Sequence, residues 1–170
     1  GIGMHYYQIE GKSRLHGEVQ VQGCKNAALP ILAATLYGGE NVIENVPDIK
    51  DTRMMIEVLK ENGCKTEFKN HRLVVDSRNA EFAKTDKRII SQMRASVLFA
   101  GVMAGRFGYA VLPLPGGCRI GKRPIDLHLS AFRTMGIQCT EEEDCIRLEG
   151  YPQGGKIELS YPSVGATENV

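Results

Sequence analysis

The chain has 170 residues, 42% of them apolar and 24% charged, with 21 Lys and Arg against 20 Asp and Glu. Such a composition belongs to a globular domain with one sizeable core, and a net charge of +1 offers no global attraction to nucleic acid or to an anionic membrane. The longest apolar stretches, Ala27–Tyr37 and Val97–Gly105, are too short to span a bilayer. The opening GIGMHYY lacks the charged and apolar regions of a signal peptide, and Gly1-Ile2-Gly3 before Met4 reads as a cloning scar. Five cysteines at scattered spacing are expected to be reduced thiols in a cytoplasm.

In chain order, Gly17–Gln22 (GEVQVQ) alternates like a strand. Asn26–Tyr37 (NAALPILAATLY) has helical apolar content, with Pro30 placed in its first turn. Asn41–Val46 is a strand. Asp51–Asn62 is a helix, capped by Asp51, packed through Met54, Met55, Val58 and Leu59, and stopped by Gly63. Lys65–Lys69 and Arg72–Asp76 form a hairpin. The same order then recurs. Gln92–Gly105 is a helix, Tyr109–Leu114 a strand, Ile125–Met135 a helix and Gln138–Glu149 a hairpin. A third unit opens with GKIELS, which matches GEVQVQ, and SVGATENV would begin its helix. Cys139 and Cys145 flank TEEED, the polar turn of the second hairpin. Their spacing fits no familiar zinc site, so no metal is expected.

The repeat isolates one loop. Asn41 aligns with Tyr109, a shift of 68, and Gly63 with Gly136, a shift of 73. The extra residues fall between Leu114 and Pro124. There PGGCRIGKR replaces the PDIKD of the first unit, placing Cys118 among glycines and cations. GGCRIGK fits the G-x-x-x-x-G-K pattern of a phosphate-binding loop. Arg123 stands where Ser or Thr should hold Mg²⁺, so a P-loop-like nucleotide binder is the weaker reading. What survives is an anion site: Arg119, Lys122 and Arg123 ahead of a helix N-terminus, with Lys25 and Arg94 at equivalent helix starts. Cations lower a thiol pKa, so Cys118 is a candidate nucleophile or proton donor; an ordinary surface thiol is the alternative.

GCKNAALPILAATL, QMRASVLFAG, PGGCRIGKRPIDLHL and PSVGATENV together resemble the UDP-N-acetylglucosamine 1-carboxyvinyltransferase family of enolpyruvyl transferases, from about Met4 to Val170. The resemblance implies an α/β (α+β) fold: an inside-out α/β barrel of repeated βαβαββ units, here two units and the start of a third. It implies that residues 1–22 hold the scar and an N-terminal strand that pairs with a second domain. Residues 23–170 would then be an incomplete first domain, and the chain a fragment inactive by itself. The implied reaction moves the enolpyruvyl group of phosphoenolpyruvate to the 3′-hydroxyl of UDP-N-acetylglucosamine, releasing phosphate, in the first committed step of peptidoglycan synthesis. It implies no cofactor.

By the same resemblance Cys118 is the proton donor to the methylene carbon and the residue alkylated by fosfomycin. Lys25, Asn26 and Arg123 bind phosphoenolpyruvate. Asn26, Arg94, Arg123, Pro124, Ile125, Asp126, Leu127, Ser163, Val164 and Gly165 bind the sugar nucleotide. Residues 115–123 form a lid, and the general base belongs to the absent domain. Cys24 replaces a small residue, and Tyr161 stands where some relatives have a lysine, placed either to stack on uracil or in a solvated loop. The expected partners are the two substrates and the missing C-terminal domain, with no nucleic acid and no membrane. An exposed apolar face would favour self-association. A non-catalytic remnant or paralogue that binds UDP-sugar is the alternative function.

Overall fold

The computed structural model describes residues 6–82, 97–113, 125–142 and 145–170. The chain enters its first helix, α1 (Lys25–Ala34), and tightens into a 3₁₀ turn at Thr35–Tyr37. Strand β1 (Glu40–Ile43), helix α2 (Lys50–Glu61) and the hairpin β2 (Lys65–Lys69) and β3 (Arg72–Asp76) complete the first unit. Helix α3 (Leu98–Phe107), β4 (Tyr109–Pro113), α4 (Asp126–Thr134), β5 (Gln138–Glu141) and β6 (Cys145–Glu149) repeat it. A short helix, α5 (Val164–Asn169), opens the third.

The two sheets have the same topology. Their strand orders are β1-β3-β2 and β4-β6-β5, and every pairing is antiparallel. In each sheet the last strand to be made lies between the other two. The β2–β3 hairpin turns on Asn70 and His71, both left-handed at φ 52° and 60°, the two-residue turn whose twist matches its strands. Gly63 and Gly136 follow α2 and α4 at φ 79° and 84°, which bears out their alignment in the repeat.

One face of each sheet packs on helices. Leu73 and Val75 of β3, and Ile146 and Leu148 of β6, are fully buried, while Arg72 and Glu149 of the same strands are exposed. Helices α1 and α3 are apolar round most of their circumference and touch each other. Helices α2 and α4 are amphipathic and bury Met55, Val58 and Leu59, and Leu129 and Phe132. One continuous core joins both units, and each fully buried Leu, Met or Phe contributes about 1.5–3 kcal/mol. Arg106 ties the units at their rim, donating from Nη1 to Leu36 O at 2.7 Å.

Five local expectations are corrected. Residues 17–22 form no strand; Val19 and Val21 are 91% and 83% exposed, and no strand among the described residues pairs with them. Alternation prescribes two faces but does not supply a partner, and GKIELS likewise stays irregular. Asp51 is not a cap. Ile49 occupies that position, and the buried Thr52 hydroxyl accepts from Ile49 N at 3.2 Å while donating to Pro47 O at 2.6 Å. Helix α1 starts at Lys25, so Pro30 lies beyond the first turn and removes the ladder bond to Asn26 O. The third helix runs on to Phe107, while its expected start at Gln92 lies outside the described residues.

Candidate functional site

Two groups of expected site residues can be placed. The first is the start of α1. Gly23 comes so close to the β1–α2 connection that a Cβ there would lie 1.8 Å from Asn45 O. Asn45 itself is left-handed, at φ 57°. Cys24 is the N-cap residue, extended and exposed, and its carbonyl accepts from Ala28 N at 2.9 Å. Lys25 and Asn26 follow on the exposed end of the helix.

A cation in the first turn of a helix opposes the helix dipole. Lys25 is offset by Asp51, whose Oδ2 lies 2.9 Å from Nζ, with the two side chains 51% and 43% exposed. Asp51 occupies the first turn of α2, where a carboxylate is favoured. The sequence reading gave Asp51 a local capping role and missed this pairing, which joins residues far apart in the chain. The result is a solvent-facing lysine with one exchangeable carboxylate partner, able to accept an anion in its place.

The second group surrounds a cleft of about 230 Å³ between α4 and the segment leading to α5. Asp126, Leu127, Ser130 and Thr134 line one side, and Ile157 and Tyr161 are among the residues on the other. Ile125 precedes α4 as its N-cap residue. Ser163 caps α5: its hydroxyl accepts from Ala166 N at 3.2 Å and its carbonyl from Thr167 N at 3.1 Å. Val164 is exposed beside it, and Gly165 lies against the His128 ring. The buried His128 accepts at Nδ1 from Asn169 Nδ2 at 3.0 Å. Burial holds the imidazole below its usual pKa, so the ring is neutral. Neither His128 nor Asn169 stood out in the sequence; a polar residue inside the apolar pattern of DLHLSAF was the available signal for the histidine.

Cys118, Arg94, Arg123 and Pro124 lie outside the described residues, as do Arg119 and Lys122. Cys24, Cys64 and Cys139 are free thiols, and Cys145 donates from Sγ to Glu142 Oε2 at 3.4 Å. Burial pushes the Cys64 and Cys139 thiols up, which makes them poor nucleophiles. Among the described residues, no three His, Cys, Asp or Glu side chains gather as a metal site. No described helix is long and apolar enough to cross a membrane.

Residues 9–170 match the family described as EPSP synthase (3-phosphoshikimate 1-carboxyvinyltransferase). The chain is 43% identical over 169 residues to UDP-N-acetylglucosamine 1-carboxyvinyltransferase 2 of Caldanaerobacter subterraneus, a match covering 98% of this chain and 40% of the relative. It is 42% identical to UDP-N-acetylglucosamine 1-carboxyvinyltransferase of Finegoldia magna, over 98% of this chain and again 40% of the relative. The chain thus spans about 40% of the length of these curated relatives. Among solved structures, the fold is similar to the enolpyruvyl transferase NikO from Streptomyces tendae, with a TM-score of 0.71 at 21% identity, covering 82% of this chain and 31% of that one. It is also similar to EPSP synthase from Acinetobacter baumannii, with a TM-score of 0.68 at 17% identity, covering 90% of this chain and 36% of that one. These neighbours support the α/β fold expected from the sequence; within the described residues the barrel is not closed.

Proposed function

Because the chain belongs to the EPSP synthase family, we propose that the whole protein transfers the enolpyruvyl group of phosphoenolpyruvate to the 3′-hydroxyl of UDP-N-acetylglucosamine. The relatives at about 40% identity carry the name of that branch rather than the shikimate branch. The PGGC loop at 115–118 points the same way. The observation that carries the sugar-nucleotide half is the cleft, where Asp126 and Leu127, both expected from sequence to hold the sugar nucleotide, are joined by the aromatic ring of Tyr161. An aromatic face beside hydrogen-bonding groups suits a pyrimidine.

In this reading Lys25, Asn26 and Arg123 hold phosphoenolpyruvate. Asn26, Arg94, Arg123, Pro124, Ile125, Asp126, Leu127, Ser163, Val164 and Gly165 hold the sugar nucleotide. The cations neutralise phosphate and carboxylate, and Lys25 exchanges Asp51 for the incoming anion. The Cys118 thiol donates its proton to C3 as positive charge develops at C2. The 3′-oxygen bonds to C2, and a base from outside this chain takes the hydroxyl proton. A C3 proton then passes to the Cys118 thiolate, which regenerates the thiol as phosphate is expelled and the double bond is restored. Bound anions raise the thiol pKa against the surrounding cations, which keeps Cys118 protonated for that step.

Residues 17–22, irregular here, would become a strand by pairing with a second domain, which would cover their exposed Val19 and Val21. Without that cover, a second copy of the chain competes for the same surface. The free thiols fit the reducing cytoplasm in which we place the reaction.

Fosfomycin tests the assignment. The full-length protein, incubated with fosfomycin and UDP-N-acetylglucosamine, is expected to gain one adduct by intact-mass measurement, and Cys118→Ser is expected to gain none. An adduct that persists in Cys118→Ser, or maps to Cys24, would overturn it.

A further inference from the structure

The third unit begins with helix α5, whose first turn is capped by Ser163. The buried polar tie is Asn169, which is 7% exposed. Its Oδ1 accepts from Gly101 N on α3 at 2.9 Å, and its Nδ2 donates to His128 Nδ1 on α4 at 3.0 Å. The first bond fixes which end of the amide carries nitrogen, and the second then fixes the lone pair on Nδ1 and the proton on Nε2. The ring of His128 in turn meets Gly165: its Cε1 and Nε2 lie 3.7 Å from where a Cβ on that glycine would sit. One amide therefore joins three helices and backs the turn that Ser163 caps. His128 directly follows Asp126 and Leu127, on the opposite wall of the cleft.

We propose that Asn169 is a positioning residue for sugar-nucleotide binding, setting the place of the Ser163–Gly165 turn relative to Asp126 and Leu127 through its two hydrogen bonds. This rests on the reading of the cleft given above. Asparagine suits the task because one side chain must accept from a backbone N–H and donate to an imidazole lone pair. Alanine supplies neither. Aspartate accepts from both, provided His128 moves its proton to Nδ1.

The test uses the ¹⁵N-labelled chain with Asn169→Ala and Asn169→Asp. In the wild type, the His128 ring nitrogens are expected to show an unprotonated Nδ1. In Asn169→Ala, amide exchange at Ala166 and Thr167 should accelerate about tenfold or more while Leu59 in α2 keeps its protection, the local cost of one lost buried tie. Affinity of the full-length protein for UDP-N-acetylglucosamine should fall about tenfold, which is 1.4 kcal/mol. In Asn169→Asp, Nδ1 should become protonated, with protection at Ala166 and Thr167 and affinity both partly restored. Unchanged exchange in Asn169→Ala, or acceleration that includes α2, would overturn the proposal. So would unchanged affinity in a full-length protein whose wild type binds the sugar nucleotide, leaving the cleft assignment standing. A full-length wild type that ignores UDP-N-acetylglucosamine instead overturns the cleft assignment, and the positioning role falls with it.

Discussion

Gly23→Ala tests how the start of α1 is held. A Cβ at position 23 would sit 1.8 Å from Asn45 O, 3.1 Å from Asn45 C and 3.3 Å from the Pro47 ring. Real Cβ contacts are essentially never shorter than 3.0 Å, so the two segments must separate by about 1.2 Å (3.0 − 1.8). Both nearest atoms are backbone, so no side chain can swing aside. Overpacking of this kind costs about 1–3 kcal/mol, and the lower entropy of the unfolded alanine chain returns about 0.4–1 kcal/mol. A backbone clash belongs at the upper end, giving a net loss of about 1–2.5 kcal/mol. With a urea dependence of about 1–3 kcal/mol per molar, the unfolding midpoint should fall by about 0.3–2.5 M. Gly154→Ala is the control, because a Cβ there meets nothing within 4 Å. A midpoint for Gly23→Ala equal to or above that of the control would refute the reasoning. It would mean that the approach of residue 23 to Asn45 is not a constraint on the fold.

Two further expectations concern charge. Burial holds His128 below the usual imidazole range, so the unfolded chain takes up this proton first as the pH falls. Its contribution is fully present above about pH 6.5 and is lost progressively below it. Urea midpoints measured down to pH 5 should therefore decline less steeply in His128→Gln, and parallel profiles would contradict this. Asp51→Asn removes the partner of Lys25 and a carboxylate from the first turn of α2. Both side chains are about half exposed, so the loss should be about 1 kcal/mol or less and should shrink towards zero in about 1 M salt. A loss that persists in salt would show that packing, not charge, is at stake.

The parts of the fold that the sequence announced are those governed by neighbours along the chain. Lys65–Lys69 and Arg72–Asp76 were found to the residue, because alternation on either side of Asn70-His71 leaves one register. Gly63 and Gly136 marked both helix ends for an equally local reason. The failures are non-local. Residues 17–22 alternate correctly but have no strand beside them among the described residues, and Asp51 has the pattern of a cap although its partner, Lys25, is on another helix. The His128–Asn169 tie joins helices that only the third unit brings together. For the site, the motifs named Asp126, Leu127 and Ser163, and the structure sets the first two in a cleft with Tyr161 and the third at the cap of α5. Cys118, Arg94, Arg123 and Pro124 rest on their motifs, since they lie outside the described residues.

The shared strand order has a consequence for how the chain is made. In both sheets the central strand comes last in sequence: β3 slots between β1 and β2, and β6 between β4 and β5. A nascent unit therefore holds two strands that cannot pair with each other as neighbours in the finished sheet, and each waits for the same third segment. Once β3 has left the ribosome, everything these three strands require of one another lies between residues 40 and 76. Contacts that close over so short a span form quickly. The first unit can thus assemble while the second is still being translated, and offer α1 as the surface on which α3 condenses. Duplication of the unit duplicates that timetable, with each copy completed by its own last strand.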